Sequence, residues 1–384
     1  MTQKSVRKTG TKRNPTPSPW LGIDIGGANI KLAHCSSDGV PTWSASVPFP
    51  MWKLSDQIAA TLAANINDSP EFHGIALTMT GELADCFHTR AEGVAKILEQ
   101  VTRLFPSPLV YVYCVDGKWR SPAQAAREPW LTAASNWHAL ANWAGRFLQN
   151  QNSDVSQKPS TLQQRGILVD IGSTTIDIVA ISPEEVLTKS KTDSDRLKKH
   201  ELIYTGVERS NISGLLRYLP LHGKRCPIMN EQFATTRDAY VWLRLLDEAP
   251  QDSNTCDSRP MTRLNARYRL ARLVGEDGST ITDCDLDAIA STILKKQAAL
   301  LRRGLEKALA KLTRSQKTTK QPNFPLICSG HGDFLIREAL KDLLHSKSPY
   351  KLSQFSLSDQ LGQNYSRVAP ALAVAQLARE TADI

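Results

Sequence analysis

No run in the sequence approaches the roughly 18 consecutive apolar residues of a membrane-spanning helix, and its first twenty residues lack the apolar segment of a secretory signal. A soluble, cytoplasmic protein with no membrane partner is the expectation. Cysteine is sparse. The seven cysteines (Cys35, Cys86, Cys114, Cys226, Cys256, Cys284 and Cys328) are odd in number, widely separated and free of C-x-x-C or histidine-rich spacing, which argues against a disulfide framework or a zinc centre. Two basic stretches carry no acid to balance them. Residues 1–19 hold Lys4, Arg7, Lys8, Lys12 and Arg13, and residues 311–320 hold Lys311, Arg314, Lys317 and Lys320, which together account for the whole net charge of +9. The body carries no excess charge, so a dedicated nucleic-acid face is not expected.

With 384 residues the chain exceeds one typical core and predicts two lobes. Residues 1–19 read as a disordered basic tail, 20–148 as a first lobe, 149–164 as a polar linker, and 165–384 as a second lobe with a helical insertion over about 207–312. The partition rests on an internal repeat. WLGIDIGGANIKLAHCS (Trp20–Ser36) and GILVDIGSTTIDIVAIS (Gly166–Ser182) follow one plan: an apolar strand ending in Asp-Ile-Gly, a turn of small or polar residues, and a returning strand. Helices are predicted over Lys53–Asn67, Arg90–Leu104, Thr235–Asp247, Thr262–Val274, Asp283–Leu312 and Val368–Arg379, with strands at His73–Thr78 and Leu109–Val115. Trp130, Trp137 and Trp143 fall on helical segments and read as packing.

A polyphosphate site needs backbone N–H groups near the phosphates, residues small enough to allow that approach, and carboxylates that hold Mg²⁺ through oxygen. Both hairpins supply these. Asp24 and Asp170 are the candidate metal ligands; Gly26, Gly27, Asn29 and Lys31 on one hairpin, and Gly172, Ser173, Thr174 and Thr175 on the other, are the candidate phosphate contacts. Lys31 and Asp177 each stand seven residues after their aspartate. A third element, Ser329-Gly330-His331-Gly332, reads as a strand-to-helix turn whose Gly330 and Gly332 admit a nucleotide or substrate, although a plain helix start explains it too. Glu82 and Asp85 are candidate general bases, with Asp177 third; helix capping by Asp85 or Thr89 is the competing explanation. Arg90, Thr205 and Arg209 are candidate substrate contacts, with Gly206 and Thr235–Arg237 as further possibilities for the same role. Cys86 and His88 read as a core cysteine beside a turn residue rather than a nucleophile pair.

These elements resemble the two phosphate motifs and the adenosine motif of the actin, Hsp70 and sugar-kinase superfamily, which implies an α/β, two-lobed actin-like ATPase fold built on a duplicated ribonuclease H-like plan. A narrower likeness covers most of the chain. LGIDIGGANIKLA, LTMTGELADCFHTRAEGVAKILEQV, ILVDIGSTTIDIVAI, YTGVERSNI, ATTRDAYVWL, NARYRLARLVGED and SGHGDFL, in that order, resemble the hydantoinase/oxoprolinase-like proteins of the tetrahydromethanopterin-linked one-carbon pathway; His88 departs from the proline expected there. That resemblance implies a methanofuran-biosynthesis transferase that joins an aminomethyl-furan methyl diphosphate to the phenol oxygen of γ-glutamyltyramine, with Mg²⁺ as cofactor and small-molecule diphosphate and phenol substrates as partners. An ATP-dependent small-molecule kinase or hydrolase, or a nucleotide-binding regulatory protein, remains open on the same motifs.

Overall fold

In the computed structural model the described residues are 18–106, 109–150, 165–314, 321–343 and 349–381. Most of the predicted tail and linker, with Lys317 and Lys320, lies outside them. Two sheets form the frame. The first contains β1 (Trp20–Ile25), β2 (Asn29–Cys35), β3 (Pro41–Pro48), β4 (Gly74–Met79), β5 (Val110–Tyr113) and β6 (Trp119–Arg120), in the order β3-β2-β1-β4-β5-β6. The second contains β7 (Gly166–Ile171), β8 (Ile176–Ile181), β9 (Leu202–Ile203), β12 (Asn323–Gly330) and β13 (Lys351–Ser356), in the order β13-β12-β7-β8-β9. A separate hairpin, β10 (Tyr218–Leu221) with β11 (Lys224–Pro227), stands within the region read as a helical insertion.

Counted from its own hairpin, each sheet runs 3-2-1-4-5, with the first two connections antiparallel and the next two parallel. The repeated sequence plan is therefore a repeated topology, and the fold is the duplicated α/β architecture expected. Strand β1 is buried at all six positions, as a central strand covered on both faces requires. Both hairpins sit at the centre of their sheets, so their turns project at the same relative place in each half.

Three apolar clusters fill the layers. One lies on the outer face of the first sheet around Ile23, Leu77 and the helix Arg90–Leu104. Another lies between the sheets, where Trp137, Trp143, Leu168 and Ile327 meet the C-terminal helix Ala369–Glu380. The third packs the long helix Asp283–Arg314 and its neighbours on the second sheet. Sequence places the C-terminal helix in the second lobe; in space it packs on β1, β2 and β4 of the first sheet. Its residues are apolar around the whole circumference, so it needs cover from both sides, which a position between the two halves provides. Gly22 permits this approach, because a Cβ there would stand 1.9 Å from the Ala371 carbonyl oxygen.

Candidate functional site

The first turn closes through the Gly26 N–H to the Asn29 carbonyl at 3.0 Å, and the second through the Gly172 N–H to the Thr175 carbonyl at 3.0 Å. Among the described residues no protein acceptor takes the N–H groups of Gly27, Ala28, Ser173 or Thr174, which leaves four donors at the two tips. A Cβ on Gly27 would meet nothing within 4 Å, so the tip is open. Between the halves lies a cleft of about 570 Å³, lined among others by Asn29, Lys31, Asp170, Gly172, Ser173 and Gly330.

The register of the hairpins sets the charges. Asp24 faces Lys31 across β1 and β2, with Nζ 3.8 Å from Oδ2, and Asp170 faces Asp177 across β7 and β8. Asn136 donates to Asp24 Oδ2 at 3.4 Å, whereas Asp24 Oδ1 is buried without a partner. Burial raises the Asp24 carboxyl above its usual range, against the lowering effect of Lys31 and of the Asn136 hydrogen bond. Burial likewise pushes Asp170 up to about 6, opposed by Lys31 and assisted by Asp177. One lysine thus answers two carboxylates that lack full compensation. Oxygen donors of this kind, one of them orphaned, suit a hard divalent cation that completes its shell with phosphate oxygens and water.

Other predicted residues separate by location. Arg209 lines the cleft and stacks its guanidinium 5.0 Å from the Trp52 ring, so it bridges from the second half to the first. Thr205 does not reach the cleft: it is buried, donates to Ser210 Oγ at 2.8 Å and accepts from Gln297. Gly206 lies against the second turn, where a Cβ would be 2.4 Å from Thr174 N. Thr235 and Arg237 do line the cleft, and Arg237 pairs with Asp252 at 2.5 Å, whereas Thr236 is buried and donates to the Gly206 carbonyl. Gly330 has φ +87° and abuts Ile171, and Gly332 abuts the Ile171 side chain, so close packing on β7 requires both glycines whatever else they touch. His331 also faces the cleft and bonds Glu208 at 3.0 Å.

Of the candidate bases, Asp177 is tied up by the buried Arg196, whose guanidinium also covers Trp137 at 4.1 Å. Asp177 serves here as that arginine's anchor. Asp85 is exposed and outside the cleft lining, and it is not the cap of the helix Arg90–Leu104; Thr89 accepts from the Glu92 N–H and fills that place. Cys86 bonds the Met51 carbonyl and His88 is exposed, as a non-nucleophile pair should be. Glu82 differs from all of these. It is 1% exposed, its Oε2 has no partner, and burial raises it to about 7 against the bonds from its own and the Ala134 N–H groups and the attraction of Arg90, with Asp193 adding to the rise.

Sequence reasoning missed Asn136, Asp193, Arg196 and Glu208. Each stands outside the hairpin strands, and tertiary packing brings Asn136 to Asp24, Arg196 to Asp177 and Glu208 beside Ser173.

The family model for hydantoinase/oxoprolinase matches residues 73–375, a span that includes Glu82, the second hairpin and the Gly330 turn. The chain belongs to the hydantoinase/oxoprolinase family. Within this family it is 31% identical over 363 residues, covering 94% of this chain and 98% of the relative, to a (4-{4-[2-(γ-L-glutamylamino)ethyl]phenoxymethyl}furan-2-yl)methanamine synthase of Methanocaldococcus jannaschii. A synthase of the same name from Methanococcus vannielii is 26% identical over 55% of this chain and 89% of that relative. Among solved structures, a ROK-family glucokinase from Streptomyces griseus, in complex with glucose and AMPPNP, superposes with a TM-score of 0.46 at 14% identity, covering 92% of this chain and 98% of that one. The hairpins of this hydantoinase/oxoprolinase-family chain lie partly outside the family match, since Asp24 and Lys31 precede residue 73. Their fit to the second hairpin is established by topology alone.

Proposed function

We propose that the chain forms a furfuryl aryl ether: the phenol oxygen of γ-glutamyltyramine attacks the methylene carbon of an aminomethyl-furan methyl diphosphate, the carbon–oxygen bond to diphosphate breaks, and diphosphate leaves. The carrying observation is the convergence of two small-residue turns, through Ala28, Asn29, Gly172 and Ser173, with Lys31 and Asp170, on one cleft, Asp24 standing 3.8 Å behind Lys31. That arrangement holds a polyphosphate, and the relatives' name contains the phenoxymethyl-furan linkage such a displacement makes.

The four free turn amides would take phosphate oxygens, and Lys31 would answer charge that grows on the leaving oxygen. Two carboxylates, Asp24 buried and Asp170 partly buried, repel a neighbouring polyanion unless a cation intervenes. Asp24 and Asp170 would hold Mg²⁺, which supplies that compensation when bound. Glu82 would accept the phenol proton, since a base raised to about 7 is nearer in affinity to a phenol of pKa about 10 than an ordinary carboxylate is.

The decisive experiment offers purified protein γ-glutamyltyramine and the furan diphosphate, with and without ATP, and follows ether by mass spectrometry and diphosphate release. Ether without ATP supports the transferase. ADP formed from added ATP, with no ether, replaces it with the kinase or hydrolase reading.

A further inference from the structure

Outside the cleft lining lies a second concentration of polar side chains. Glu82 comes from the loop after β4, Arg90 from the first turn of its helix, Asp193 and Arg196 from the helix Asp193–Lys199, and Trp130 and Trp137 from the helical segments after β6. Arg90 Nε stands 3.9 Å from Glu82 Oε1, beyond hydrogen-bond length. Glu82 Oε2 and Arg90 Nε are both buried without a hydrogen-bond partner. A buried acceptor and a buried donor are thus left unsatisfied across one ion pair, a costly arrangement in an interior that otherwise pairs such atoms.

A group that both donates and accepts satisfies both atoms at once. A hydroxyl donates its hydrogen to a carboxylate oxygen and accepts from a guanidinium N–H. Neither an ammonium, which only donates, nor a carboxylate, which only accepts, can do so. The surroundings specify what carries the hydroxyl. Arg90 lies 4.6 Å above the Trp130 ring, and Trp130 is 62% exposed, so an aromatic face stands open beside the pair. Asp193, partly exposed, feels the attraction of both Arg196 and Arg90 and adds negative charge near Glu82.

We propose that Glu82, Arg90 and Trp130 form the acceptor subsite, in which a phenol hydroxyl bridges Glu82 Oε2 and Arg90 Nε and its ring lies along Trp130. The inference rests on the transferase reading and sharpens one expectation drawn from the sequence. Arg90 stands in the sequence as a substrate contact with no group assigned to it, and in γ-glutamyltyramine the glutamyl carboxylate is separated from the phenol oxygen by the ring, an ethyl link, an amide and the glutamyl carbon chain. A side chain in contact with Glu82 serves one end only, and here it serves the reacting end. In the step itself the phenol proton passes to Glu82, the oxygen pair is held by Arg90 as it attacks the methylene carbon, and diphosphate carries away the electrons of the broken bond. Arg90 is then a catalytic residue. Trp130 and Asp193 position it.

The test uses N-acetyltyramine, which carries the phenol without a glutamyl group or any reaction partner. Full-length protein is titrated with it at pH 8 while the ultraviolet difference spectrum of the phenol is followed. The expected result is a red-shifted, hydrogen-bonded phenol band on binding, lost in Arg90→Gln and partly restored in Arg90→Lys. In turnover, Arg90→Gln should lower kcat about 100-fold with the diphosphate substrate's KM unchanged, and a ring-fluorinated, more acidic acceptor should recover at least tenfold of that loss. No binding of N-acetyltyramine, binding unchanged in Arg90→Gln, or an Arg90→Gln turnover defect independent of acceptor acidity would overturn the subsite and leave the bridging position to water. The spectral arm needs no turnover. A protein that shows the band but makes no ether keeps the subsite and refutes the transferase, whereas ether without the band does the reverse.

Discussion

At the scale of single residues the site is a set of carboxylates sorted by what surrounds them. Asp24 and Asp170 face one lysine, Asp177 is bound by Arg196, and Glu82 is buried with one oxygen unpaired. Asp24→Asn and Asp170→Asn should each lower Mg²⁺-dependent activity by at least about 100-fold, with thermal unfolding scans showing little loss of stability. Full activity in both variants would remove the paired-carboxylate site. Glu82 yields a prediction of opposite sign for stability. Its folded pKa of about 7 lies above the ordinary 4.5, so between those values the unfolded chain releases a proton that the folded chain keeps. Stability from this group is full below pH 4.5 and is lost as pH rises through about 7, an effect of about 3 kcal/mol in all. Glu82→Gln cannot ionise. It should unfold at a higher temperature than the parent at pH 8, match it near pH 4, and make no ether at either.

At the scale of elements the turns owe their position to glycines that other segments press upon. Gly206→Ala would drive a methyl into the backbone between Ser173 and Thr174. The variant should lose about 1–3 kcal/mol in denaturant unfolding and bind diphosphate more weakly, because it displaces the turn rather than any ligand contact. How much of this was legible beforehand follows from the range of the interactions. Strand β1, the return strand, the helix Arg90–Leu104 and the long helix from Asp283 were readable, since each carries its own period, cap or turn within a few residues. The edge strands β3 and β13 were not: with no buried position in either, they show no apolar run, and only pairing with a neighbour makes them strands. The helix expected over Thr235–Asp247 stops at Trp242, where the chain turns through Arg244 at φ +58°. In the site, the hairpin residues were visible as a repeat. The binding of Asp177 by Arg196 and the pairing of Glu82 with Arg90 were not, because nothing in sequence spacing announces which helix will land beside a given acid.

At the scale of the whole molecule the two halves share one buried helix. The C-terminal helix covers the first sheet, closes the core between the sheets, and places Pro370 in the wall of the cleft. Gly22→Ala sets a Cβ against the Ala371 carbonyl, where the C-terminal helix packs on β1. It should cost about 1–3 kcal/mol of stability and also weaken protection of the protein by diphosphate in thermal scans; a stability loss with unchanged diphosphate protection would show that the helix does not couple core to cleft. The equivalence of the two hairpins has one more consequence. Diphosphate is a symmetric ion, and two turns of one topology facing each other form a nearly symmetric receptor, so the turns alone give it no preferred direction. At the matching register position one half carries Lys31 and the other Asp177. That mismatch of charge breaks the symmetry more strongly than the differing turn residues do, and on the proposed reading it decides which end of the diphosphate bears the carbon and which end faces away.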